Sequence, residues 1–114
     1  MKYITRLFAA SRYSWQGIRH ATRHEAAFQT ELMALPFVLV AAFYWGDSAF
    51  DKGILIASYL LVMLVELLNS AIEAVVDRIG REQHELSGLA KDLGSAAVFF
   101  ALLMAVVLWL TVLW

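Results

Sequence analysis

The sequence predicts an all-α membrane protein with three transmembrane helices and an N-terminal amphipathic helix on the membrane surface. The first observation is composition, because 61% of the 114 residues are hydrophobic, far more than a soluble domain of this size accommodates. The second is the presence of three apolar stretches that approach the length needed to cross a bilayer as a helix. The third is the distribution of basic residues, which fall almost entirely on one side of a three-helix arrangement.

The first element, residues 2–25, is predicted to be a basic amphipathic helix. Apolar side chains such as Leu7, Phe8 and Trp15 alternate along it with the basic residues Arg6, Arg12, Arg19 and Arg23. A helix of this kind lies in the membrane interface with its arginines toward anionic head groups. The alternative is a solvated helix that packs on the helical bundle of its own chain.

The predicted transmembrane helices are residues 26–46, 54–77 and 90–113. The first must begin near Ala26, because the apolar stretch at 32–46 is too short to span a bilayer by itself. Polar turns are expected at 46–53 and 79–88. The chain is too short to divide into two cores, so residues 1–114 are expected to form a single integral-membrane domain.

The charges of the connecting segments predict the orientation in the membrane. Lys52 is the one basic residue expected on the outer side, and Asp47 and Asp51 outnumber it there. The positive-inside rule therefore places the N-terminus in the cytoplasm and the C-terminus outside. A net charge of −1 gives no basis for nucleic-acid binding, and the absence of cysteine excludes disulfides and thiolate chemistry.

A polar stripe follows the apolar residues 53–65 within the second predicted span. Its members recur at helical spacing and are Glu66, Asn69, Ser70, Glu73 and Asp77. Positions three, four and seven residues apart share one face of a helix. Carboxylates in a membrane-length helix are costly and are usually retained for a function, so the stripe predicts a site. The alternatives are helix-packing hydrogen bonds for the amide and the hydroxyl, and end-of-helix ion pairs for the last carboxylates.

Other charged residues are expected at the same depth as this stripe. Glu25 and Glu31 flank the inner end of the first span, and Lys91 and Asp92 stand at the inner end of the third. Together they offer carboxylates for a hard cation, a cation for phosphate charge and a proton acceptor, which are the parts that phosphoryl transfer uses. The sequence has no P-loop, glycine-rich nucleotide loop or HEXXH motif. The three histidines are expected to be surface residues rather than metal ligands: His20, His24 and His84.

Three segments carry a resemblance to a known family. They are EAAF at 25–28, ELLNSAIEAVVDRIG at 66–80 and HELSGLAKDLGSAAV at 84–98, and they resemble the bacterial integral-membrane diacylglycerol kinases. The resemblance implies a homotrimeric bundle in the bacterial inner membrane, with active sites shared between protomers on the cytoplasmic side. It also implies transfer of the ATP γ-phosphate to diacylglycerol, giving phosphatidate, with Mg²⁺.

The resemblance assigns roles position by position. Glu66 corresponds to the catalytic base and Asn69 to a second catalytic residue, while Glu25 and Glu73 correspond to the metal ligands. The implied nucleotide contacts are Arg6, Tyr13, Glu25, Glu73, Glu82, Gln83, His84, Lys91 and Asp92. The implied lipid contacts are Ser14, Trp15, Arg19, Glu31, Glu66, Ser95 and Trp109.

Three other functions stay open from the sequence. Some relatives in the same family act on undecaprenol instead of diacylglycerol. A small proton-coupled multidrug transporter also uses an intramembrane glutamate, although it predicts four spans and an isolated carboxylate. A non-catalytic subunit would use the polar stripe only to hold helices together.

Overall fold

The computed structural model describes residues 1–80 and 84–114, and this part of the chain folds into four helices. They are α1 (Lys2–His24), α2 (Ala26–Trp45), α3 (Ala49–Ile79) and α4 (Glu85–Leu113). Helices α2, α3 and α4 are each long and apolar enough to cross a membrane. The prediction of an all-α protein with three membrane-length helices is therefore confirmed.

The connections between the long helices are shorter than the sequence predicted. Helix α3 begins at Ala49, because the Ser48 side chain accepts a hydrogen bond of 3.0 Å from the backbone N–H of Asp51. This bond satisfies one of the free N–H groups of the first turn, and the Asp51 carboxylate favours the same helix end. The prediction of a polar turn over residues 46–53 is therefore wrong for residues 49–53, which are helical.

The start of α4 differs from expectation for a similar reason. The Nδ1 atom of His84 accepts a hydrogen bond of 3.1 Å from the backbone N–H of Leu86, so the imidazole caps the helix. Glu85 lies in the first turn, where its charge favours the positive end of the helix dipole. Residues 85–88 are thus helical and not part of the expected polar turn at 79–88.

Helix α3 is the central element, since both α2 and α4 pack along it while α1 packs against α2. A small buried cluster joins the first three helices and consists of Ala21 from α1, Phe28 from α2 and Met63 from α3. Leu32 and Leu67 pack against it from the side. The cluster sets the position of the C-terminal end of α1 against the middle of α3.

Two hydrogen bonds from aromatic side chains connect α3 to its neighbours. The Tyr59 hydroxyl donates to the backbone carbonyl of Glu31 on α2, at 2.6 Å. On the other side, Nε1 of Trp109 on α4 donates to Oγ of Ser58 at 3.1 Å and to the carbonyl of Leu55 at 3.2 Å. Such interhelical bonds keep polar groups paired in an apolar environment.

Most of the apolar surface of the long helices is not covered by the chain itself. Phe37 is 77% exposed, and Phe99 and Phe100 are each 61% exposed. Exposed apolar area of this extent belongs in contact with lipid or with other chains. The fold is therefore that of a membrane protein whose own core is small.

Replacement of Phe28 by alanine is expected to loosen the contact between α1 and the rest of the fold. Phe28 is 4% exposed, and removing a buried aromatic ring typically costs about 3 kcal/mol or more. Denaturant titration of the micellar protein, followed by circular dichroism, measures this loss of unfolding free energy. The control is Phe50→Ala, because Phe50 is 75% exposed at the start of α3. Equal effects of the two substitutions would contradict the role given to the cluster.

Candidate functional site

A groove between α1 and α3 lies beside the polar stripe. Its volume is about 560 Å³, within the range of small-molecule sites. The lining is mostly apolar and comes from Ser14, Gly17, Ile18, His20, Ala21 and Glu25 of α1 and its end, and Leu67, Ser70, Ala71 and Ala74 of α3. A groove of this character suits an acyl chain or another apolar group with a polar end.

The Glu66 carboxyl lies at the centre of a group of acidic side chains. It lies close to the carboxyl of Glu31, which comes from α2. Glu25 and Glu73 are both near enough to interact with it electrostatically. Helices α2 and α3 and the junction residue Glu25 thus place three further carboxyl groups near that of Glu66. Oε1 of Glu31 is buried with no hydrogen-bond donor among the described residues.

Asn69 continues the polar stripe and is held from two sides. Its Nδ2 donates a hydrogen bond of 3.0 Å to Oε1 of Glu73, one helical turn further along α3. Its Oδ1 is buried and faces Gly94 of α4, where an added Cβ atom would overlap that oxygen. Gly94 therefore allows α4 to approach α3 at the level of Asn69, and it fixes where the amide lies.

The sequence alone does not indicate that Gly94 lies against the polar stripe. A glycine inside an apolar helical pattern does signal close packing, but it does not reveal which residue approaches it. The contact with Asn69 depends on the register of α4 against α3, which only the folded chain provides.

The far end of the stripe contains an ion pair between α3 and α4. Nζ of Lys91 lies 2.9 Å from a carboxylate oxygen of Asp77, and both side chains are about half exposed. Lys91 also interacts electrostatically with Glu73. The pair places a cation beside the row of carboxylates, as the sequence predicted for Lys91, but it also gives Asp77 a partner.

The remaining predicted site residues lie in several different places. Ser14 and Glu25 line the groove. Six others are exposed on α1 or α4: Arg6, Tyr13, Trp15, Arg19, Asp92 and Ser95. Trp109 is partly exposed and donates a hydrogen bond to Ser58. His84 caps α4. Glu82 and Gln83 lie outside the described residues. A single chain therefore assembles the acidic centre but does not bring the first half of α1 to Lys91 through any extensive helix–helix contact.

These carboxylates suit a magnesium ion that also binds substrate phosphates better than a metal ion whose ligands all come from the protein. Among residues 1–80 and 84–114, no three His, Asp or Glu side chains converge as a ligand set. Mg²⁺ usually binds through one or two carboxylates together with substrate phosphates. Glu25 and Glu73 both lie within electrostatic range of Glu66, and carboxylates are ligands that Mg²⁺ prefers.

Comparison with known proteins places this site in context. The family model described as prokaryotic diacylglycerol kinase matches residues 12–113. The chain is 54% identical to the diacylglycerol kinase of Escherichia coli strain K12 over 111 residues, which is 97% of this chain and 91% of that protein. It is 48% identical to the Pseudomonas aeruginosa diacylglycerol kinase over 96% of this chain and 89% of that one. Identity to the Haemophilus influenzae diacylglycerol kinase is 46%, over 93% of this chain and 90% of the relative.

The contact between Gly94 and Asn69 gives a stability prediction. Gly94→Ala is expected to lower the free energy of unfolding by about 1–3 kcal/mol, because the new methyl group displaces a hydrogen-bonded side chain. The measurement is denaturant titration in micelles. Gly53→Ala is the matched control, since an added Cβ there meets open space and alanine favours the helix by about 0.5–1 kcal/mol.

A double substitution tests whether Asn69 is the cause. In an Asn69→Ala background, the cost of Gly94→Ala is expected to disappear, because the smaller side chain leaves room for the methyl group. The same cost in both backgrounds would show that another contact is responsible.

Proposed function

The chain belongs to the prokaryotic diacylglycerol kinase family and is a lipid kinase; we propose that its substrate is 1,2-diacylglycerol. The γ-phosphate of ATP is transferred to the lipid hydroxyl, giving phosphatidate and ADP. We further propose that the working enzyme is a homotrimer in the bacterial inner membrane, with each active site shared between protomers. The N-terminus and the active site face the cytoplasm, and the C-terminus lies outside.

One observation carries the proposal: the polar row along α3 is continuous from a membrane-length segment to an exposed ion pair. It begins at Glu66, which lies close to Glu31, and passes through the hydrogen-bonded Asn69 and Glu73. It ends where Asp77 meets Lys91. A lipid alcohol and a water-soluble phosphate donor need such a path, because one is confined to the membrane and the other to water.

Glu66 is the proposed base. Its carboxylate takes the proton of the lipid hydroxyl as the hydroxyl oxygen bonds to the γ-phosphorus and the bond from that phosphorus to the β,γ-bridging oxygen breaks. ADP leaves with the electrons of that bond. The buried acceptor atom of Glu31 lies beside Glu66, which supports a role for Glu31 in orienting the hydroxyl.

Asn69 and Lys91 are proposed to position and neutralise the phosphates. Asn69 holds Glu73 through its amide, so the direction of that carboxylate is set before ATP binds. Glu25 and Glu73, together with the phosphates, would hold Mg²⁺, which would supply further neutralisation of negative charge. Phosphoryl transfer depends mainly on positioning and charge neutralisation of this kind.

The sharing of sites between protomers is supported by the separation of the implied nucleotide residues. Arg6 and Tyr13 are exposed on the part of α1 that precedes its packed end, while Lys91 and Asp92 project from α4. Helix α1 packs mainly on α2 and helix α4 on α3. A second copy that offers its α1 surface to α4 would complete the nucleotide contacts. The exposed apolar faces of α2 and α4 are available for such an assembly.

Substrate choice is the direct test of the proposed function. The full chain, purified in mixed micelles with ATP and Mg²⁺, is offered 1,2-diacylglycerol or undecaprenol in separate reactions. We expect phosphatidate to form at least ten times faster than undecaprenyl phosphate, on the order expected when a site is built for one alcohol. Faster phosphorylation of undecaprenol would assign the chain to the other substrate of the family, and no transfer to either lipid would reject the kinase mechanism.

Glu66→Gln is expected to lower the rate of phosphatidate formation by about a hundredfold or more, because the amide cannot accept the proton. ATP binding and the elution volume of the micellar protein should stay as in the unsubstituted chain. Glu85→Gln, at the exposed first turn of α4, is the matched control and should keep the rate. If the Glu66 variant retains near-normal turnover, the base is another group.

A further inference from the structure

Two histidines of α1 lie together at the edge of the groove. The rings of His20 and His24 are one helical turn apart, with centroids separated by 4.5 Å and planes inclined by 40°. Both side chains are exposed, and neither ring takes part in a hydrogen bond within the part of the chain that the structure describes. His20 lines the groove, and Glu25 follows directly after His24.

The ring separation is close to that of two imidazoles bound to one metal ion. A ligating nitrogen lies about 2.0–2.1 Å from zinc, so the metal is about 3.2 Å from the centre of each ring. At the tetrahedral angle that zinc prefers, the two ring centroids are then about 5.2 Å apart. The observed separation of 4.5 Å is shorter, so chelation requires the two rings to turn apart.

We propose that His20 and His24 form a chelating site for one divalent transition-metal ion of the Zn²⁺ class, at the rim of the groove between α1 and α3. Imidazole nitrogens favour zinc, copper and nickel, whereas Mg²⁺ selects oxygen ligands. The site is therefore chemically distinct from the carboxylates proposed for Mg²⁺. Residues i and i+4 share a helix face, so both imidazoles can reach one ion.

The surroundings set the expected strength of the site. Two protein ligands leave the other coordination positions of zinc to solvent, and the flanking Arg19 and Arg23 add positive charge along the helix. Glu25 supplies the nearest negative charge in sequence. The chain contains no cysteine, so no thiolate competes for the ion. We expect affinity in the micromolar range.

A bound ion would act on the end of α1. It would link residues 20 and 24 across the last turn, directly before the break between α1 and α2 at Glu25. The same turn contains Ala21, which packs in the cluster with Phe28 and Met63. The ion would therefore hold in helical form the turn that borders the groove.

The test is a zinc titration of the full chain, purified in micelles without a polyhistidine tag and stripped of metal. A chromogenic chelator competes for Zn²⁺ at a fixed pH near neutrality. We expect one Zn²⁺ per chain, unaffected by a large excess of Mg²⁺. His20→Ala and His24→Ala should each weaken binding at least tenfold, while His84→Ala should bind zinc as the unsubstituted chain does.

X-ray absorption at the zinc edge gives a second readout that needs no variant. The expected spectrum of the loaded protein contains two imidazole nitrogens at about 2.0–2.1 Å. The proposal is overturned if the spectrum lacks imidazole, if either of the two α1 variants binds zinc with unchanged affinity, or if His84→Ala weakens binding equally. None of these measurements depends on kinase activity, so they test the metal site independently of the proposed function.

Discussion

The structure depends on one constraint: polar side chains in the membrane-length helix α3 need partners from the helices that pack on it. Ser58 is 3% exposed and accepts from Trp109 of α4, while Tyr59 donates to the backbone of α2. Without such partners, each group would stay unpaired in an apolar environment at a cost comparable to that of a lost hydrogen bond. The polar positions of α3 thus determine which faces of α2 and α4 contact it.

The same constraint connects packing to chemistry. Asn69 hydrogen bonds to Glu73, and the close approach of Gly94 keeps the amide oxygen against α4. Glu66 finds its neighbour in Glu31 of α2. The side chains that we propose to handle the lipid hydroxyl and the phosphates are therefore held by contacts that also order the helices, so the site and the bundle have to form together.

The sequence was sufficient to predict the number of long helices and the face of α3 that carries the polar stripe. The apolar stretches and the spacing of Glu66, Asn69 and Glu73 depend on a regular helical period, which a single chain displays directly. The helix starts were less predictable, since residues 49–53 and 85–88 contain polar residues that suit both a turn and a capped first turn. Contacts between helices were not predictable. The position of Glu31 beside Glu66 depends on how α2 is rotated about its own axis. Apolar residues lie on every side of α2, so the sequence does not indicate that rotation. The roles assigned to Arg6, Tyr13 and the lipid contacts stay predictions.

The length of α3 links the enzyme to the thickness of its surroundings. At about 1.5 Å per residue, its 31 residues extend about 46 Å, whereas the hydrocarbon layer of a bilayer is about 30 Å thick. In the proposed orientation, Asp51 and Lys52 lie among the outer head groups, and the surplus length lies at the end that carries Glu73 and Asp77. For a helix that keeps its tilt, Glu73 would lie nearer the acyl layer in a thicker bilayer, and Glu66 would lie nearer water in a thinner one. The acyl-chain length of the host bilayer would thereby affect the depth of the proposed site.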